Sequence, residues 1–292
     1  MDPSLTSRSV VEGRWDDDSF LMALSLFDAA RACLDAASPD EKVALTQAHA
    51  VSFGRGELTP DADAPAPQPI GMPGRPVRPK LVPSRELPQR GLGSVEGRAA
   101  FIHAIAHIEL NAIDLAWDAA YRFRDMPVDF YADWVSVAND ESRHFVLLRD
   151  RLREFGYEYG DFDAHNGLWE MTEKTAHDGM ARMALVPRVL EARGLDVTPG
   201  MIAKLRNVGD KPTAEILELI LREEVAHVAA GSHWFRWYCR RDGVEPHSTF
   251  RELLAKYAGP TLRGPFNHDA RLLAGFDAEE IAALEQLSVG AT

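Results

Sequence analysis

The sequence predicts an all-α protein whose centre is a four-helix bundle made of two helical hairpins. Three observations carry this. Between Ser94 and Gly243, four long stretches repeat apolar residues at three- and four-residue spacing, and cap or stop residues bound each of them. The connection between the first two stretches is short, and the one between the second and third is long and glycine-rich (GYEYGDFDAHNG). No alternating apolar and polar run is long enough to suggest a sheet. With 292 residues, 46% of them hydrophobic, one large core is affordable and disorder throughout is excluded.

Residues 19 to 49 have helical spacing broken at Ser38-Pro39, so two short helices are expected in an N-terminal module over 1–58. Residues 59 to 93 recur in proline and hold few large apolar side chains, which denies them helix and core and predicts an extended strap. Its basic residues Arg75, Arg78, Lys80, Arg85 and Arg90 suit an arm lying on an acidic body. The bundle occupies 94–246. Its first helix runs from a Ser94 cap to about Arg124, and its second from Asp125-Met126-Pro127 to Gly156. The third begins at Asp178, or further back near Leu168, and ends at Gly194; the fourth runs from Asp210-Lys211-Pro212 to about Gly243. A C-terminal extension over 247–292 adds a helix around Phe250 to Tyr257 and a Gly/Pro loop. Its last helix is opened by Asp277, with Glu280 in capping-box position.

The chemistry is concentrated in two Glu-x-x-His pairs, Glu141 with His144 on the second bundle helix and Glu224 with His227 on the fourth. Three residues of helix turn about 300°, so each carboxylate and imidazole share a face. Two such pairs, with one glutamate from each of the other two helices, make the ligand set of a carboxylate-bridged di-iron or di-manganese site. Glu109 is nominated on the first helix because its stripe (Ile102, Ile105, Ala106, Ala112, Ile113, Ala116) is otherwise apolar. On the third helix Glu191 is nominated, with Glu173 and His177 as alternatives, since Pro187 interrupts that helix. Converging buried carboxylates would repel one another unless cations sat between them. Glu109, Glu141, Glu191 and Glu224 lie 15, 16, 13 and 14 residues from Ser94, Asp125, Asp178 and Asp210, a similar depth in each helix. Asp140 and Glu223 each precede a ligand glutamate. They either accept the outer N–H of an imidazole from another helix or pair with Arg143 or Arg222. His103 and His107 lie off the Glu109 stripe and are expected to be ordinary satisfied or exposed histidines.

The element Asp140-Glu141-Ser142-Arg143-His144 resembles the D-E-x-R-H element of di-iron oxygenases and fatty-acyl desaturases in the ferritin-like superfamily. More closely, HIELNAIDLAWD, NDESRHFVLLRDRL, HNGLWEMTEKTAHD, MARMALVPRVLEARGLDVTPGMIAKL, EEVAHVAAGSHWFRW and FRELLAKYAGPTLRGPFN are similar to the bacterial ferritin-like family labelled domain of unknown function 455. The similarity spans most of the chain, and it implies the bundle but no reaction. Carried over residue by residue, it implies metal ligands at Glu109, Glu141, His144, Glu191, Glu224 and His227, the Glu191 assignment resting on the V-L-E-A-R-G element. The tRNA-modifying and quinone hydroxylases of the superfamily are relatives in architecture only.

The expected function is therefore that of a di-iron (Fe²⁺/Fe³⁺) or manganese carboxylate protein that activates O₂. It would hydroxylate or oxidise a small or carrier-bound molecule, with an electron donor and no catalytic residue separate from the metal ligands. A ferroxidase or iron-handling protein without organic substrate, and a metal-free helical scaffold, are the alternatives. Trp117, Tyr121, Trp134, Trp234 and Trp237 are assigned to core packing for the most part, ahead of lining a substrate cavity or relaying an electron, and Arg182, Arg188 and Arg193 to surface pairing ahead of recognising a carboxylate or phosphate. A formal charge of −13 argues against broad nucleic-acid binding. Two cysteines, Cys33 and Cys239, exclude a disulfide framework and suit the cytoplasm. No export signal is read, and no apolar window of membrane-spanning length. Oligomeric state leaves no trace in the pattern.

Overall fold

The computed structural model describes residues 24–257 and 263–289 and is all-helical apart from one pair of two-residue strands. The parallel pair β1 (Leu24–Ser25) and β2 (Leu58–Thr59) brackets α1 (Leu26–Asp35) and α2 (Pro39–Gly54). The Ser38 side chain caps α2 and Pro39 takes its first turn, which explains the break between them. The expected start of the first helix at 19–23 lies outside the described residues, as do 258–262 of the Gly/Pro loop.

Two long helices, α3 (Val95–Arg122) and α4 (Val128–Glu154), lie side by side as an antiparallel hairpin. Ser94 caps α3 through its hydroxyl, which accepts from Gly97 N at 3.0 Å. Helix α1 packs on α3 and α2 on α4, and the Trp117 indole of α3 donates to Thr46 Oγ1 of α2 at 3.0 Å. The strap runs over the same hairpin. Arg75 donates to Asn111 Oδ1 at 2.6 Å, and Trp169 Nε1 donates to the Gly71 carbonyl, tying the strap to α5 (Gly167–Lys174).

The second hairpin is less regular. Helix α6 (Gly179–Leu185) is capped by Asp178 and runs into a π-helical turn, Val186–Glu191, then into α7 (Ala192–Asn207); the whole lies along α8 (Lys211–Asp242). The expected stop at Gly194 is thus wrong, since the helix continues for 13 further residues to Asn207. Gly194 costs a helix interior only about 1 kcal/mol. Pro199, which strips the Leu195 carbonyl of its helical partner, is compensated by Asn267 Nδ2, which donates to that carbonyl at 3.1 Å. Helices α9 (Pro246–Tyr257), α10 (His268–Leu273) and α11 (Ala278–Val289) complete the described chain, and Asp277 with Glu280 forms a reciprocal capping box at 2.9 and 3.1 Å.

Two expectations need correction. Arg182 and Arg188 are buried, not surface residues, and each is paired with a buried acid, Asp118 and Glu280 respectively. Their long side chains reach across the core to acids that other elements have already buried. In addition, α3 is long and apolar enough by composition to cross a membrane. With 72% of that window buried in the bundle and Asp114 and Asp118 on it in ion pairs, it behaves as a core helix.

Candidate metal centre

The centre lies where α3, α4, the π-helical turn and α8 meet. Ligand atoms of Glu109, Glu141, His144 and Glu224 all lie within 4.8 Å of one another. His227 joins them, with Nδ1 3.1 Å from Glu141 Oε1 and 3.5 Å from Glu224 Oε1. Glu191 lines the same cavity as Glu109, Glu141 and Glu224. All six nominated side chains therefore converge. Glu173 and His177 do not: both are exposed, and His177 is hydrogen-bonded to Tyr257 on the outside of the molecule.

Both imidazoles are oriented alike. His144 Nδ1 faces inward, 3.3 Å from Glu109 Oε2 and 3.2 Å from Glu141 Oε2, while its Nε2 meets Glu223 Oε2 at 2.6 Å. His227 presents Nδ1 to the cluster and Nε2 to Asp140 Oδ2 at 3.3 Å. Each outer nitrogen thus lies against an acid from the opposite helix. Arg143 donates to both acids, to Asp140 Oδ1 at 2.7 Å and to Glu223 Oε2 at 3.0 Å. The two roles weighed for Asp140 and Glu223, imidazole partner and arginine partner, coexist in one network. An acid on the outer nitrogen fixes ring orientation and raises the basicity of the inner one.

Electrostatics marks the cluster as short of positive charge. Burial, then the charges of Glu224 and Glu141, push the Glu191 carboxyl up to about 8. Burial and the neighbouring Glu141 charge hold Glu109 well above the usual carboxylate range. For Glu141 burial acts in the same direction, but hydrogen bonding from His144 and the charge of His227 outweigh it and hold its pKa well below the ordinary value. Burial likewise opposes a charge on His144, yet its hydrogen bonds to Glu109 and Glu141 prevail and push it up to about 11. Without cations, protons on the imidazoles and on the most crowded carboxyls have to balance the acids.

The donors fit a metal pair. Glu191 Oε2 and His227 Nδ1 are buried without a hydrogen-bond partner, a cost that native structures rarely carry without a reason. Four carboxylates balance two divalent cations, and a set of carboxylate oxygens with two imidazole nitrogens suits iron or manganese. Outside this group, His103 and His107 are hydrogen-bonded histidines, as expected, and the sequence did not show their partners. Tyr159 donates to or accepts from His107 Nδ1 at 2.8 Å, and His107 Nε2 meets the His165 carbonyl at 3.1 Å. His103 Nε2 accepts from Gly160 N at 3.0 Å. These histidines are buried and anchor the α4–α5 connection, which only the three-dimensional path of the glycine-rich loop reveals.

Over residues 35–282 the chain matches the family described as "Protein of unknown function (DUF455)", and it belongs to that family. A protein of Haemophilus influenzae described as "Uncharacterized protein" is 47% identical over 213 residues, covering 70% of this chain and 74% of the relative. No solved structure matches the chain significantly.

Proposed function

We propose that this chain is a ferritin-like di-iron carboxylate protein, with manganese as the alternative metal, that activates O₂ to hydroxylate or oxidise an organic substrate. The observation that carries the reading is the meeting of six donors from four helical segments, with an acid seated on the outer nitrogen of each imidazole. Glu109, Glu141, His144, Glu191, Glu224 and His227 would hold the metals. Iron held there would supply electrons for the reduction of O₂. The chain's own contribution is to orient and to exclude. Glu223 and Asp140 lock the two rings, Arg143 locks those acids, and Leu217 and Ile220 on α8 give the cavity beside the carboxylates an apolar wall.

A cavity opening directly on the carboxylates favours an organic substrate over bare iron oxidation. The test is reconstitution of the purified chain with Fe(II) under anaerobic conditions. Two irons per chain and a Mössbauer spectrum that changes on O₂ exposure are expected. Fewer than one metal per chain, or an apo form as heat-stable as the loaded one, would sink the proposal, because metals that bind only the fold must stabilise it. Iron oxidation that no organic additive alters would favour the ferroxidase alternative.

A further inference from the structure

A cavity of about 210 Å³ lies against the carboxylate cluster, between α3, the π-helical turn with α7, and α8. One wall is Glu109, Glu141, Glu191 and Glu224. The others are mostly aliphatic, with Ala112, Leu115, Leu190, Val197, Met201 and Leu217 among their residues. Ile108, 44% exposed, and Arg193, with 40% of its side chain exposed, bring the lining to the surface and mark the mouth. Drug-sized ligand sites occupy about 300–1,000 Å³, so this one takes a smaller molecule or one end of a larger one.

The charges decide what can enter. Among the described residues Arg193 is the only lysine or arginine lining the cavity, and its guanidinium is held against the loop at 263–265. It donates to the carbonyls of Arg263 at 2.7 Å and Pro265 at 3.0 Å, and lies 3.7 Å from Asp196 Oδ2. With the metals absent, an anionic group inside would face four carboxylates, and burying an ionised group beside like charges is strongly unfavourable. A cationic group would compete with the metals for the carboxylates. Neutral hydroxyl or carbonyl groups face neither problem.

Taking the metal-centre reading as premise, we infer that the site accepts an uncharged, aliphatic molecule or segment of about hexyl size. Any anionic head or carrier stays outside the mouth beside Ile108 and Arg193. The substrate is thus sorted by an aliphatic chamber whose inner wall is four carboxylates.

The experiment is calorimetric titration of the full chain, metal-free and Mn(II)-loaded, with 1-hexanol and with hexanoate at pH 7.5. Hexanol should bind at least tenfold more tightly than hexanoate to the metal-free form. Ala112→Leu, which fills the chamber from α3, and Val197→Phe, which fills it from the half-buried face of α7, should each weaken hexanol binding tenfold or more at unchanged metal content. Val197 sits on a partly exposed surface, so its variant keeps the test valid if Ala112→Leu fails to fold. Equal binding of the two probes to the metal-free form, no binding of hexanol, or hexanol binding untouched by both substitutions overturns the inference. A chain that binds no metal but still prefers hexanol, and loses it in the variants, would overturn the functional proposal and leave the chamber's selectivity standing.

Discussion

The two hairpins each hand three side chains to the centre, yet they are built differently. The first is two uninterrupted helices of 28 and 27 residues, and Glu109, Glu141 and His144 project from regular turns. In the second, Glu191 ends a π-helical turn that contains Pro187, and Pro199 follows in the same helix. That irregular helix is held from outside. Pro187 lies against Gly231 of α8, where any Cβ would collide with its ring. Arg188 reaches Glu280 at 2.6 Å, with its guanidinium over the faces of Phe235, Phe250 and Phe276. Asn267 supports the Leu195 carbonyl. The first hairpin therefore positions its ligands by its own hydrogen bonds, whereas the position of Glu191 depends on the C-terminal helices. Short π-helical turns inside α-helices recur at functional sites, because the extra residue re-aims a side chain that a regular turn would point elsewhere.

The largest effect is expected on the regular side. Glu141 lies between both histidines, 3.2 Å from His144 Nδ1 and 3.1 Å from His227 Nδ1. Glu141→Ala should abolish loading of at least one metal, measured by elemental analysis, with helicity by circular dichroism nearly intact. Glu191→Ala should instead weaken one metal and retain the other. Equal losses in the two variants would break the comparison, and two metals retained in Glu141→Ala would remove that residue from the site.

Next comes the brace of the irregular side. Arg188→Met leaves Glu280 with only Arg236 at 3.2 Å and the capping N–H of Asp277. Breaking a buried pair costs about 3–5 kcal/mol, and the surviving partners should keep the loss near the lower end, read from urea unfolding. Amide exchange should accelerate in α10, α11 and the π-helical turn and stay unchanged in α3 and α4. Acceleration spread evenly over both hairpins would show that the brace is not local.

The same contrast governs what could be read from the sequence. The caps Ser94, Asp178 and Asp210, and the capping box at Asp277 and Glu280, are local chemistry and were legible, as were the helices that they open. The paired Glu-x-x-His spacing was legible because one turn of helix fixes it. The continuation of α7 past Gly194 was not, since the donor that rescues Leu195 lies 72 residues away. Nor was the burial of Arg182 and Arg188, whose acids Asp118 and Glu280 lie 64 and 92 residues distant. Local rules name a breaker, and only the tertiary contact tells whether it is compensated.

A smaller effect separates two substitutions that delete capping hydrogen bonds. Ser94→Ala removes the cap of α3, and Asn267→Ala removes both the support of Leu195 and the cap of α10, where Ala270 N donates to Asn267 Oδ1 at 3.3 Å. Each should lower stability by about 1–2 kcal/mol in urea unfolding. Asn267→Ala alone should also weaken Mn(II) uptake, because only its loss reaches the helix that carries Glu191. Matching Mn(II) affinities in the two variants would argue that the irregular helix holds its shape unaided.

The smallest effect concerns the outer edge of that support. His247 Nε2 meets Asp277 Oδ2 at 2.8 Å, and this hydrogen bond raises the histidine's pKa above its ordinary value, with Glu279 adding to it at 3.4 Å from Nδ1. Because the folded pKa is the higher one, the stabilisation is complete below about pH 6.5 and disappears as pH rises through the folded value. Asp277 is shifted the other way, opposed by burial but lowered by the Glu280 N–H and by His247, so its contribution is lost only in strong acid. Arg236, 3.9 Å from Asp277, is charged throughout and keeps part of the attraction at every pH. An ion pair this accessible is worth a few tenths of a kcal/mol, about 0.3–0.5. Amide exchange in α11, corrected for intrinsic rates, should therefore be up to about twofold faster at pH 8 than at pH 6. His247→Gln should flatten that difference, and neither condition should change exchange in α3. A pH-independent α11, or an equal response in α3, would detach this histidine from the support of the second hairpin.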